Sequence, residues 1–269
     1  MHDSPLPRTA LITGASAGIG TSFAHVFAEH GFDLVLTARR GGRLGELAGA
    51  IATRYGRRVH TFAADLADPS APAAIALEIA NAGITIDVLV NNAGYGLPGR
   101  FLDSTWEQHR DFLQVMVAAV ADLTHRFLPG MIARRYGRII NVASLAGLVP
   151  ASAGHTLYGA SKSMLIRFSQ SLALETMAHN VHVTALCPGF TYSEFHDVNG
   201  MRQQVSQLPS FMWMDADTVV RQGYAAVMRG DIVCVNGRVN RFIAFATRVM
   251  PQWIIMRAVK RVARTFRRA

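Results

Sequence analysis

Apolar residues arrive along this chain in two rhythms. Short unbroken runs such as Ala10-Leu11-Ile12, Val88-Leu89-Val90 and Ile139-Ile140 have the continuity of strands buried on both faces. Between them, apolar positions recur every three or four residues, as on an amphipathic helix. After the first run they fall at 19, 23, 26 and 27, and the segment ends at Gly31. The pattern predicts strands over 8–13, 33–37, 58–62, 86–90, 137–142, 181–186 and 231–235, and helices over 18–30, 42–55, 70–82, 105–134, 157–179 and 215–228. Regular alternation of strand and helix implies parallel strands, right-handed crossovers and helices on both faces. The expected fold is one doubly wound α/β domain with a seven-stranded parallel sheet, and 269 residues suffice for its two-sided core.

Two segments break the rhythm. Residues 190–214 are too long for a simple strand-to-helix connection and hold Phe190, Tyr192, Phe195, Met201, Leu208, Phe211, Met212, Trp213 and Met214. Such an apolar, adaptable stretch reads as a substrate lid, with a second small core as the alternative. The other is the end of the chain. Residues 232–269 contain nine arginines and lysines and no acid, whereas residues 1–231 hold 18 basic and 18 acidic residues, so the net charge of +9 belongs to the tail. A neutral body gives no ground for nucleic-acid binding. The expected division is a catalytic domain over 1–237 and a basic helical extension over 238–269. After Pro251, residues Ile255, Val259, Val262 and Phe266 form one stripe, surrounded by Arg257, Lys260, Arg261, Arg264, Arg267 and Arg268. A helix of this kind suits a membrane surface, its own domain or a partner subunit, and the sequence leaves the three open.

No run of 18 uninterrupted apolar residues occurs, and Met1–Pro5 lacks the basic-then-apolar pattern of a signal peptide. Cys187 and Cys234 fall in predicted strands and read as buried reduced thiols, so a cytoplasmic location is expected. The ten histidines include no close pair with metal-ligand spacing; His109 and His125 read as helix-surface residues, and no metal is expected.

Ligands of open α/β sheets bind beyond the carboxyl ends of the strands, so the residues there carry the functional reading. At the first strand end lies Thr13-Gly14-Ala15-Ser16-Ala17-Gly18-Ile19-Gly20. Glycines at a strand-to-helix turn let the backbone approach a pyrophosphate, and the helix N-terminus supplies free N–H groups and a positive dipole end. Gly14, Ser16, Gly18, Ile19 and Gly20 are the candidate contacts, although such a loop alone is also an ordinary turn. The second strand ends in Thr37-Ala38-Arg39-Arg40, with no acid before Glu46. An acid there would hold a ribose 2′-hydroxyl, whereas a guanidinium takes a 2′-phosphate, so NADP(H) is the expected cofactor. A solvated arginine pair is the alternative, although it would oppose the helix dipole. Tyr158 and Lys162, four apart on a predicted helix, share a face. The lysine charge is expected to lower the phenol's pKa toward the range of general acid–base chemistry.

The glycine loop, Asn91-Asn92-Ala93-Gly94 and Tyr158-Gly159-Ala160-Ser161-Lys162, in that order and spacing, resemble the classical short-chain dehydrogenase/reductase family over roughly residues 8–236. The resemblance implies a Rossmann-type oxidoreductase that interconverts a carbonyl and an alcohol by hydride transfer, here a hydrophobic ketone or aldehyde if 190–214 is an apolar wall. It implies Tyr158 as general acid, Lys162 as its tuner and the holder of the nicotinamide ribose, and Ser144 as the group that polarises the carbonyl. Asp65 would bond the adenine, with helix capping as the alternative. Asn92, Ala93 and Gly94 would line the cofactor, and Pro188, Gly189 and Thr191 would place the nicotinamide. It also implies a homo-oligomer paired through helices 105–134 and 157–179. Two departures stand out. Met116 occupies the position of a common family asparagine whose role runs largely through its main-chain carbonyl. Ser144 and Tyr158 are 14 apart where 13 is commoner, which reads as one inserted residue between Pro150 and Thr156. Met116 supports the rival reading, a catalytically weak NADP-binding sensor or scaffold; the tail supports another, a membrane-surface adaptor.

Overall fold

The computed structural model describes residues 7–97, 99–151, 153–154, 156–192, 209–251, 253 and 257. Seven strands form the main sheet: β1 Thr9–Thr13, β2 Asp33–Ala38, β3 Val59–Ala63, β4 Val88–Asn91, β5 Gly137–Val142, β6 Val181–Cys187 and β9 Val233–Val235. Their order is β3-β2-β1-β4-β5-β6-β9, and every neighbouring pair is parallel. The order reverses between β1 and β4, which opens a crevice at the carboxyl ends.

Apolar runs in β1, β2 and β4 send alternate side chains to opposite faces, and helices bury each set. On one face lie α1 (Gly18–Glu29), α2 (Gly41–Tyr55) and α7 (Ala216–Arg229), which contribute Phe23, Phe27, Leu44, Ile51, Val219 and Val227 to the core. On the other lie α3 (Ala71–Asn81), α5 (Ala119–Ala133) and α6 (Thr156–Thr176), with Ile75, Ile79, Leu123, Met131 and Leu172. Asn91 ties the sheet to this layer: its Nδ2 donates to Asn141 Oδ1 (2.9 Å) and Thr124 Oγ1 (3.2 Å).

Four expectations change. The helix predicted over 105–134 is α4 (Trp106–Leu113), a π-helical turn (Gln114–Ala118) and α5. The apolar periodicity runs on through the π turn, so the pattern could not show the extra residue it inserts. Trp106–Ala133 has the length and hydropathy (mean 1.3) of a membrane span, but Phe112, Val115, Met116 and Leu123 are spent on the core. His109 is buried rather than on the helix surface. Its ring stacks on Phe101 (4.5 Å between centroids) and its Nε2 lies 2.7 Å from the Phe101 carbonyl. At the two ends of the lid segment, β7 (Phe190–Tyr192) pairs in parallel with β8 (Trp213–Asp215) as a second small sheet; residues 193–208 of the lid prediction lie outside the described residues. Finally, the helical extension expected over 238–269 begins with α8 (Arg238–Val249), ahead of Pro251, where the amphipathic stripe is expected to start. The tail stripe at Ile255, Val259, Val262 and Phe266 lies outside the described residues.

Candidate active site

A cleft of about 710 Å³ opens beyond the carboxyl ends of β1 to β6. Its wall contains Gly14, Ser16, Gly18, Ile19, Arg39, Arg40, Asp65, Asn92, Ala93, Gly94, Ser144, Tyr158, Lys162, Pro188, Gly189 and Thr191, brought together from six strand ends and α6. Gly20 is absent from that wall and works behind it. A Cβ there would strike the Gly14 carbonyl and come within 2.6 Å of Asn92 Nδ2. Gly14 is equally constrained: its φ is +66°, and a Cβ would lie 2.8 Å from Ala93 Cα. Thr13 locks the two loops by accepting the N–H groups of Asn92 and Ala93, both at 3.0 Å, while Asn92 Nδ2 donates to the Thr13 carbonyl (2.9 Å). The resulting surface is bare backbone at the start of α1, the shape and polarity a pyrophosphate requires.

Arg39 and Arg40 stand exposed at the end of β2. Arg40 Nε donates to Ser16 Oγ (3.2 Å) and a terminal nitrogen to the Ser16 carbonyl (3.3 Å), which bridges the arginine pair to the glycine loop. Asp65 does not cap α3, which begins only at Ala71; its carboxylate accepts the Ala67 N–H (3.0 Å) in a local turn. The arginine pair thus stands beside the close-approach loop, in the same cleft wall as Asp65 and Asp111.

At the other end of the cleft, Ser144 opens a short 3₁₀ turn (Leu145–Gly147), and its Oγ accepts the Ala146 N–H (3.1 Å). The turn is pressed onto α6 at Gly147, where a Cβ would lie 2.7 Å from the Lys162 carbonyl carbon; Ser163 Oγ donates to the Gly147 carbonyl (2.8 Å). Leu145 N–H donates to the Pro188 carbonyl (2.8 Å), so the same turn also holds the loop after β6. These contacts bring Ser144 into hydrogen bonding with the Tyr158 hydroxyl across their 14-residue separation. Lys162 is buried, with Nζ donating to the Val142 carbonyl (2.7 Å) and lying 5.6 Å from the Tyr158 ring centroid.

Burial dominates the electrostatics of this pair. It pushes Tyr158 above the ordinary phenol value, with the Ser144 hydrogen bond acting in the opposite direction. It also pushes Lys162 down to about 8. The expectation that the lysine lowers the phenol's pKa therefore fails for the cofactor-free chain: the ammonium is itself desolvated and engaged by a carbonyl. Behind them, burial pushes the Cys187 thiol up to about 12, so it is inert. Among the described residues no cluster of metal-ligating side chains occurs.

The sequence reading missed several wall residues. Tyr95, Leu97, Asp111, Val149, Pro150, Ala151 and Phe190 also line the cleft, and apart from Asp111 and the Tyr95 hydroxyl they are apolar. All but Asp111, on α4, and Phe190, on β7, sit in irregular loops, where no periodicity marks a buried face. Met116 has a defined place: its sulfur lies 2.8 Å from where a Gly94 Cβ would stand, so this methionine fills the space beneath the Asn92–Gly94 loop.

Residues 8–203 match the family described as short chain dehydrogenase. The chain is 39% identical over 187 residues to the oxidoreductase UcpA of Salmonella typhimurium, covering 68% of this chain and 69% of that protein. A short-chain dehydrogenase from Sphingobium yanoikuyae, solved in complex with NADPH, superposes with a TM-score of 0.80 at 32% identity, over 88% of this chain and 91% of that one. A bulky-bulky ketone specific alcohol dehydrogenase from Comamonas testosteroni superposes with a TM-score of 0.75 at 26% identity, over 93% and 96% of the two chains.

Proposed function

This chain belongs to the short chain dehydrogenase family and is an oxidoreductase of that family, and we propose that it uses NADP(H) to interconvert an apolar ketone or aldehyde and its alcohol. The observation that carries the reading is the Ser144–Tyr158 hydroxyl pair beside buried Lys162, in a cleft whose far end carries Arg39 and Arg40. Gly14, Ser16, Gly18 and Ile19 would face the pyrophosphate, Arg39 and Arg40 the 2′-phosphate and Asp65 the adenine. Asn92, Ala93, Gly94, Pro188, Gly189 and Thr191 would line the nicotinamide half. When bound, the nicotinamide supplies or accepts a hydride. Tyr158 then donates its proton to the carbonyl oxygen in reduction and recovers one in oxidation, and Ser144 holds that oxygen in place. Lys162 holds the nicotinamide ribose and offsets charge on the phenolate left after proton donation.

The apolar wall of Leu97, Val149, Pro150 and Phe190 supports a substrate without charge near its carbonyl. The NADPH-bound and bulky-ketone neighbours support the same cofactor and substrate class. Trp106 and Leu174, exposed on α4 and α6, support pairing of two copies through those helices, and a cytoplasmic location completes the reading.

Arg39→Asp tests the cofactor assignment. The variant loses a phosphate-pairing guanidinium and adds a repelling carboxylate, so NADPH affinity should fall at least tenfold more than NADH affinity by calorimetry. Equal weakening of both would remove Arg39 as the 2′-phosphate reader. Oxidation of NADPH against a panel of apolar ketones and aldehydes tests the reaction, and absence of turnover on all of them would overturn it.

A further inference from the structure

Helix α8 turns its apolar face away from the protein. Its inner side is anchored by Asn240, which is buried, donates to the Asn236 carbonyl (2.8 Å) and leaves no room for a Cβ at Gly189. Ile243 and Thr247 lie half-buried on the same side. On the opposite side Phe242, Phe245 and Val249, at i, i+3 and i+7, are 69%, 64% and 59% exposed. A surface helix normally buries such a stripe. Arg241 and Arg248, seven apart and both exposed, run along one flank of it. Trp253, just beyond, is exposed with the Arg257 guanidinium 5.7 Å from its ring centroid.

We propose that α8 docks this enzyme on an anionic lipid surface, with the phenyl rings entering the interface and the flanking arginines pairing with lipid phosphate and carboxylate groups. The charge pattern selects this occupant. No acidic residue occurs anywhere in 232–269, so every charge that α8 and the residues after it carry is positive and complementary to an anionic surface. A second copy docking by the same face would set Arg241 and Arg248 against their own equivalents, because a two-fold contact brings like patches together. The chemistry also suits the depth of insertion. A single row of exposed side chains on a helix already supported by its domain reaches only the headgroup boundary, where arginines stay solvated. Asn240 and Gly189 join the docking helix to a wall of the catalytic cleft, so docking would hold that wall against a source of apolar carbonyl compounds.

The test is flotation of the full-length chain with phosphatidylcholine vesicles, with and without phosphatidylserine. Wild type should bind the phosphatidylserine vesicles at least about tenfold more strongly, and less so as salt rises. The double variant F242S/F245S should lose roughly tenfold or more of that binding, since two exposed rings carry the apolar contact, while its melting temperature and NADPH affinity stay at wild-type values. R241E/R248E leaves the apolar stripe intact and should lose the phosphatidylserine preference, which keeps the test valid even if the serine variant is less stable. Failure of wild type to float, or equal binding by wild type and both variants, would overturn the proposal. So would a wild-type assembly that F242S/F245S dissolves in sedimentation velocity while neither protein binds vesicles, because a second copy would then cover α8.

Discussion

A phenol is protonated at neutral pH, and burial raises the pKa of Tyr158 further, so the proton donor that carbonyl reduction needs is held more firmly than in a free phenol. Tyr158→Phe removes only that proton donor. The turnover number should fall by about 10²–10⁴-fold, with NADPH affinity by fluorescence titration nearly unchanged; turnover close to wild type would take Tyr158 out of the mechanism. Met116 poses the opposite kind of question. Its side chain is buried against Gly94, so it acts through packing, and any main-chain role at this position is carried by a backbone that methionine leaves intact. Met116→Asn buries an amide where a thioether fits. It should lower stability by roughly 1–3 kcal/mol and change kcat by less than about tenfold. A gain above tenfold would mean that the natural chain lacks a needed asparagine side chain. That Tyr158 and Ser144 share one end of the cleft was legible from their places on a helix and at a strand end. The direction of the tyrosine's shift was not, since burial depends on Gly147 pressing a turn onto α6, a contact that no local pattern encodes.

Among the elements, the seven sheet strands and the helices that cover them were legible almost to their ends, because a two-sided core forces strand runs to be continuously apolar and helix stripes to recur at helical spacing. What escaped were elements with weak or misleading patterns. The π turn at Gln114–Ala118 hides inside an apolar helix, β7 and β8 are three residues each, and the bounds of α8 within the expected helical extension are unmarked because it exposes its stripe rather than burying it. The turn from β1 into α1 shows how a short pattern can be read correctly for the wrong residue. Gly20 belongs to the glycine signature, yet it serves the close approach of α1 to the Gly14 carbonyl and Asn92 rather than the cleft wall. Gly20→Ala therefore pushes the helix start away from β1 and the Asn92 loop. Overpacking of this kind typically costs about 1–3 kcal/mol, and the distorted loop should also weaken NADPH binding. A lowered urea midpoint together with a raised Kd is the expected result; an unchanged midpoint would show that the loop yields freely.

At the scale of the whole molecule, charge is distributed unusually: of 27 basic residues, 25 are arginine, and the two lysines are Lys162 and Lys260. Arginines stay charged throughout the accessible alkaline range, so buried Lys162 dominates the lysine contribution to stability there. Its pKa falls from 10.5 in the unfolded chain to about 8 in the fold. Between those values the unfolded chain binds more protons than the native one, and stability must rise with pH. Cys187 acts in the reverse sense. Its thiol moves from 9.0 to about 12, so above pH 9 the native chain holds a proton that the unfolded chain gives up, and stability falls. Between about pH 8 and 9 the lysine effect is the larger and predicts a gain on the order of 1 kcal/mol, reduced toward pH 9 and flattened above it as Cys187 and Cys234, both raised by burial, oppose it. Urea midpoints of the cofactor-free protein at half-unit steps across this range are the measurement. Lys162→Met removes the titrating group and should abolish the rise below pH 9. Cys187→Ala together with Cys234→Ala should let the rise continue toward the unfolded lysine value. A wild-type midpoint that stays level or falls from pH 8 to 9 would mean that the ammonium keeps its charge in the fold without cost, and that its contact with the Val142 carbonyl offsets its loss of water.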